Sequence, residues 1–394
     1  MKAAPSANHY EYVFTDGSSA VNLYVYDMDD NFNLVKSVAI PTNGQNGVRG
    51  VDVDPASGSL YVSHGGDGCP RLRQLSCWFG PNGNGSLLKY NLLTNQVIYD
   101  HQYSHGIDSF SLSADGSKVF MPEGELSGGN LWYVEDASTG NDIASIPGGA
   151  GPHNTATSIS GAHVYMAGRT NSNQYLYAAD TMTYAQYRKI GPLLGGVRPF
   201  TINATETFAF TTASNFLGFQ ISNIGSSGSV SYTINVLQLI PGWVSNSPAS
   251  TPSHGISLSP DEKEIYLVDS ATNNGSQHVH VFDVSGIASN IAPKLLASIA
   301  ITMSGNESPC SYDCLKDGWI QHSLDGRFVF VGDSGAVVST TTRTVVGNIS
   351  TLANTRKHLE VDWQNGMVVA TSTRSGLGRV TGTSTAPAPA PAPL

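Results

Sequence analysis

The chain has 394 residues, 42 of them glycine, with charged residues at only 13% and a formal net charge of −10. That balance suits short strands joined by tight turns under a Ser, Thr and Asn surface, and it argues against a nucleic-acid partner, which needs clustered Lys and Arg. No apolar run reaches the length of a membrane span, and no basic amphipathic stretch suggests a membrane surface.

In chain order, the opening MKAAPSANHY lacks an apolar h-region, so a secretory leader is expected to have been removed. The stretch EYVFTDGSSAVNLYVYDMDDNFNLVKSVAI then shows strand patterns. Seven copies of one pattern follow, each a polar residue, an apolar alternation, a turn and a second apolar strand. They read Arg49-GVDVDPASGSLYVS, His105-GIDSFSLSADGSKVFM, His153-NTATSISGAHVYMA, Arg198-PFTINATETFAFTT, His254-GISLSPDEKEIYLV, Trp319-IQHSLDGRFVFVG and His358-LEVDWQNGMVVATS. A third strand such as LLKYN, LWYVED, YLYAAD or VHVFDV comes next, and an outer one such as QVIYD or LLASIAI.

Repetition with an apolar period of two predicts an all-β, seven-bladed β-propeller of four-stranded blades, because one blade cannot bury both faces until its neighbours stack on it. The N-terminal strands lack an inner strand and the stretch from His358 to Val380 lacks outer ones, so the two ends are expected to close the ring in one shared blade. Residues 1–380 then form one domain, followed by an extended Ala/Pro tail at 381–394.

The four cysteines fall in two local pairs, Cys69 with Cys77 and Cys310 with Cys314. Their spacing predicts two loop-stapling disulfides, with a zinc site as the competing reading. The loops that hold them, 65–85 and 302–318, are expected to wall a cleft at the channel mouth. Together with N-x-S/T triplets at Asn84, Asn203, Asn274, Asn306 and Asn348, the pairs point to a secreted glycoprotein.

The repeats, above all HGISLSPDEKEIYLVDS and FSLSADGSKVFM with the following YVED and HVFDV strands, resemble the YVTN-type and lactonase-like seven-bladed propellers over residues 10 to 380. The resemblance implies the fold. That superfamily includes lactonases, lyases, cofactor-binding domains and non-catalytic surface proteins, and the matching motifs are turn and strand chemistry, so no catalytic residue carries over.

Function must therefore be read from the residues that the symmetry gathers. Arg49, His153, Arg198 and His254 occupy matching places before inner strands, and His105 precedes its strand by a few residues. A single such His usually bonds a neighbouring blade. Several ionisable groups in a narrow channel are costly without a ligand, metal or counter-charge, so these five are the catalytic candidates. Arg49, Arg198, Gln321, Lys357 and His358 are the expected substrate contacts, with Lys357 and Glu360 rivals for one channel-facing place. His153, His254 and His322 are the expected ligands if a divalent ion is bound, Mn, Zn or Ca, although carboxylates at Asp52, Asp108 and Glu360 are few for calcium. His278 and His280 are expected to be surface or blade packing, as are His9, His64, His101 and His163.

The leading expectation is a lyase that cleaves a uronate-containing saccharide by β-elimination, with Arg or a His-bound metal neutralising the carboxylate and His as base. This resembles the His, Arg and metal centres of propeller-fold polysaccharide lyases. The alternatives are a metal-dependent lactonase or hydrolase, and a non-catalytic glycan- or protein-binding module. No G-x-S-x-G elbow or phosphate-binding glycine motif is present, so a nucleophilic triad and a nucleotide cofactor are not expected. The expected partner is a carbohydrate or small-molecule substrate met by a monomer.

Overall fold

A computed structural model describes residues 7–17, 19–44, 47–66, 83–244, 252–273, 276–302 and 318–372. Their strands form seven antiparallel sheets, six with four strands and one with five. The first blade runs outward from Val48–Asp54 through Ser59–Gly65 and Gly85–Asn91 to Gln96–Gln102. The inner strands of the next five are Ser111–Leu112, Pro152–Thr157, Val197–Ile202, Ile256–Leu258 and Trp319–His322. The cysteine pairs and the 381–394 tail lie outside the described residues.

The seventh blade closes the ring as the sequence predicts. Its inner strand is His358–Gln364, which pairs antiparallel with Asn8–Asp16 in register Val13↔His358 to Asn8↔Trp363, and Ala20–Asp27 and Asn33–Pro41 complete it. Because the N-terminal strand fills the second place, the hairpin from His358–Gln364 turns the other way. Met367–Thr371 pairs along the free inner edge, on the axial side of the blade, and is the fifth strand.

The core is divided among the blade interfaces. The first and second blades enclose Tyr61, Leu87, Ile107 and Met121, the sixth and seventh enclose Val13, Phe330 and Val337, and the seventh and first enclose Phe14, Leu23, Val51, Leu60, Leu359 and Val361. Buried Asp52 ties two blades by accepting from the Leu112 amide at 3.0 Å. Among the predicted glycosylation sites, Asn203 is buried with its amide donating to Thr205 and Thr207, both at 2.8 Å.

Removing a side chain at the closure should therefore cost more than removing one on the axial strand. Leu359→Ala, at a fully buried position, is expected to lose roughly 2–5 kcal/mol in denaturant unfolding. Val369→Ala, at an exposed position, should stay within about 0.5 kcal/mol of the parent.

Candidate active site at the channel mouth

All inner strands run in the same sense along the axis, so the segments that enter them, together with those that leave the second strands, share one rim. The polar residues at these points meet there. Arg49, near the start of the first inner strand, places Nη2 3.1 Å from Asp108 Oδ2 and 3.0 Å from Glu125 Oε1. His153, near the start of the third, donates from Nδ1 to the same Asp108 oxygen at 2.9 Å. Arg169, just past the second strand of that blade, pairs with Glu125 at 2.6 Å. Three blades are thus joined through two carboxylates, buried Asp108 and half-buried Glu125.

The fourth to seventh blades complete the group. Arg198 donates from Nε to Ser214 at 3.0 Å and lies near enough to bias both His153 and His254. His254 lies with its ring centroid 6.2 Å from that of His153, and its Nδ1 is 3.0 Å from the Gly318 carbonyl. Gly318 holds that carbonyl with φ +82, and a Cβ there would meet the Val268 side chain at 2.6 Å, so glycine is required. Arg356 Nη1 is 3.3 Å from His254 Nδ1, its Nε is 3.5 Å from Asp333, and Lys357 beside it acts on Asp108 and Asp16.

The charge states follow from this geometry. Burial works to raise the Asp108 carboxyl, but Arg49 and His153 outweigh it and hold the group below the usual carboxylate range. Glu125 is likewise brought down to about 2 against burial, chiefly by Arg169 and Arg49. Burial lowers His153 despite the pull of Asp108, and lowers His254 further, with Arg356 and Arg198 adding to the effect. Both rings are therefore neutral near pH 7. With Nδ1 of His153 donating to Asp108, its lone pair sits on Nε2, which is buried and has no hydrogen-bond partner among the described residues. The result is a carboxylate-oriented imidazole in a cluster where Arg49, Arg169, Arg198, Arg356 and Lys357 outnumber Asp108, Glu125 and Asp333, in a protein of net charge −10.

Arg49, His153, Arg198, His254 and Lys357 thus converge as the repeats suggest. Four other expectations are corrected. His105 is not at the channel: its blade's inner strand begins only at Ser111, the rim position falls to Asp108, and His105 instead stacks on Tyr133 at 3.7 Å over the outer strands. His358 turns between blades onto Glu11 of the neighbouring strand. His322 does not join His153 and His254: it lies at the opposite end of its strand, with Nδ1 2.9 Å from Ser257 Oγ, in a cleft of about 320 Å³ with Ser259, Asp261 and Tyr266. Gln321 points to the other face and donates to Ser372, beside the axial strand, at 2.7 Å rather than to the mouth.

Glu125, Arg169, Asp333 and Arg356 were not foreseen. Arg169 and Asp333 directly follow second strands, in YMAGRT and FVGDS, and Glu125 comes three residues after one, in FMPEGE; that recurring position was the available signal.

Three groups among the described residues could hold a metal ion, and none contains the predicted histidine trio. They are Asp108 with Glu125 and His153, His9 with Glu360 and Asp362, and His105 with Glu135 and Asp142. At the first, an ion would compete with Arg49 and Arg169 for carboxylates that they already neutralise. His278 and His280 are blade packing, as expected, the latter fully buried against Asp269 at 3.0 Å.

No protein-family model and no curated protein matches this chain. Among solved structures, hydrazine synthase of Kuenenia stuttgartiensis is similar over 83% of this chain and 95% of that one, with TM-score 0.56 and 13% identity. A functionally unknown protein from Desulfotomaculum acetoxidans is similar over 73% of this chain and 84% of its own, with TM-score 0.50 and 13% identity. At such identities the likeness is one of fold, the seven-bladed propeller.

Burial also sets a pH response. His322 is lowered by burial to about 3, so the folded protein holds this ring neutral while the unfolded chain protonates it below about 6.5. Stability should fall as pH drops from about 6.5 towards 3, and His322→Gln should flatten that limb by up to about 1.4 kcal/mol per pH unit in urea titrations. Parallel limbs for parent and variant would refute this assignment.

Proposed function

We propose that the chain is a secreted enzyme that removes a proton beside a carboxylate, a lyase acting on a uronate-containing saccharide by β-elimination. The observation that carries this reading is the Asp108–His153 pair, an oriented neutral imidazole with an unpartnered ring nitrogen, near Arg198 and sharing Asp108 with Arg49, while Arg356 lies against His254. Guanidinium groups pair with a carboxylate in the plane of its two oxygens, withdraw charge from it and acidify the adjacent C–H. His153 Nε2 takes that proton, the C–H electrons form a carbon–carbon double bond, and the glycosidic C–O bond breaks. The imidazolium so formed is the acid nearest the departing oxygen, and Asp108 balances its charge. Arg49, Arg198 and Lys357 bind the substrate anion, while His254 and Arg356 form the facing wall.

A second reading, a metal-dependent lactonase, is favoured only by the grouping of Asp108, Glu125 and His153. It predicts acid release from small lactones with no unsaturated sugar, and loss of activity on chelation.

The test is a panel of uronate polysaccharides and oligosaccharides, followed by the ultraviolet absorbance of the conjugated product. Turnover should survive chelator, fall roughly 10²–10⁴-fold in His153→Ala, and fall in His254→Ala through weaker substrate binding. Silence across the panel, or parental activity in both variants, would sink the proposal.

A further inference from the structure

Away from the channel, the second blade contains an acid that its surroundings do not satisfy. Glu135, on the third strand Leu131–Asp136, is 0% exposed, and neither of its carboxylate oxygens has a hydrogen-bond partner among the described residues. The buried Tyr103 hydroxyl is the nearby donor that draws the Glu135 carboxyl down, but the two do not close a hydrogen bond of ordinary length. An unpaired carboxylate in such a place must take up a proton or meet a cation.

The neighbours of Glu135 are suited to a cation. Asp142 stands opposite it on the outer strand, across a bulge. His105 approaches from the segment that links the first and second blades, its ring stacked between Tyr133 at 3.7 Å and Tyr103 at 4.7 Å. Its Nδ1 donates to the Gly106 carbonyl at 2.6 Å, which leaves the lone pair on Nε2, 3.4 Å from Asp142 Oδ2. A metal-binding histidine is commonly fixed by this arrangement, one ring nitrogen tied to a backbone carbonyl and the other turned toward the remaining ligands, here Asp142. One ligand atom from each of His105, Glu135 and Asp142 lies within 4.8 Å of the others, and Asp142, at 38% side-chain exposure, opens the group to solvent.

We propose that His105, Glu135 and Asp142 form a binding site for a divalent transition-metal ion such as Zn²⁺, separate from the channel. One imidazole and two carboxylates, completed by water, suit zinc better than calcium or magnesium, which favour all-oxygen shells. The ion would tie the link between the first two blades to the outer strands of the second, three residues before Asp108 enters the channel rim.

The experiment measures Zn²⁺ stoichiometry and the metal-induced shift in Tm for the full chain, for Asp142→Asn and for His105→Gln, with His9→Ala as a control at another potential cluster. Asp142→Asn alters a partly exposed side chain and should fold without metal. One equivalent of Zn²⁺ should be lost in both site variants and retained in His9→Ala, and the rise in Tm on adding Zn²⁺ should vanish in Asp142→Asn. No binding by the parent, or unchanged stoichiometry and Tm shift in Asp142→Asn, would overturn the proposal and assign Glu135 a proton shared with Tyr103.

Discussion

A blade in this protein has no core of its own. Its apolar side chains are buried only where they meet the next blade, as Val13 and Phe330 do between the seventh and sixth, or Phe14 and Val51 between the seventh and first. Hydrophobic burial therefore requires a complete ring, and a complete ring brings the segments that enter the inner strands to one level around one axis. The gathering of ionisable residues at the rim follows from that requirement.

Buried charge is tolerable there because it is shared. Asp108 serves Arg49 and His153 at once, and Glu125 serves Arg49 and Arg169. Each carboxylate thus offsets charges brought by more than one blade. Such a network stands or falls as a unit, since removing one partner leaves another charge buried and uncompensated. It also holds His153 in one tautomer, which distinguishes an oriented base from an ordinary packed histidine.

The fold was legible in the sequence because period-two alternation recurred seven times, and Arg49, His153, Arg198 and His254 were legible because equivalent repeat positions must share a radius and a height. His322 misled because it lies three residues beyond Trp319, roughly 10 Å along an extended strand and so at the opposite end. His105 misled for another reason: the inner strand of its blade is shortened to Ser111–Leu112, so counting residues from the repeat start overshot the rim. Glu125, Arg169 and Asp333 enter at the ends of second strands, and no argument from inner strands alone could reach them. The pairing of His358 with Glu11 depends on which strand fills the second place of the last blade, and local pattern carries no record of that choice.

The shared blade also sets an order of events during synthesis. Asn8–Asp16, Ala20–Asp27 and Asn33–Pro41 leave the ribosome before the other six blades, yet the strand that pairs with the inner edge of Asn8–Asp16 ends at Gln364. At roughly 5–20 residues per second, that edge stays unpaired for tens of seconds while six blades assemble beside it. It presents Val13 and Phe14, side chains that the finished ring buries completely. The nascent chain is therefore most open to strand-edge association, and to chaperone capture, at Asn8–Asp16 until the strand that ends at Gln364 has been made.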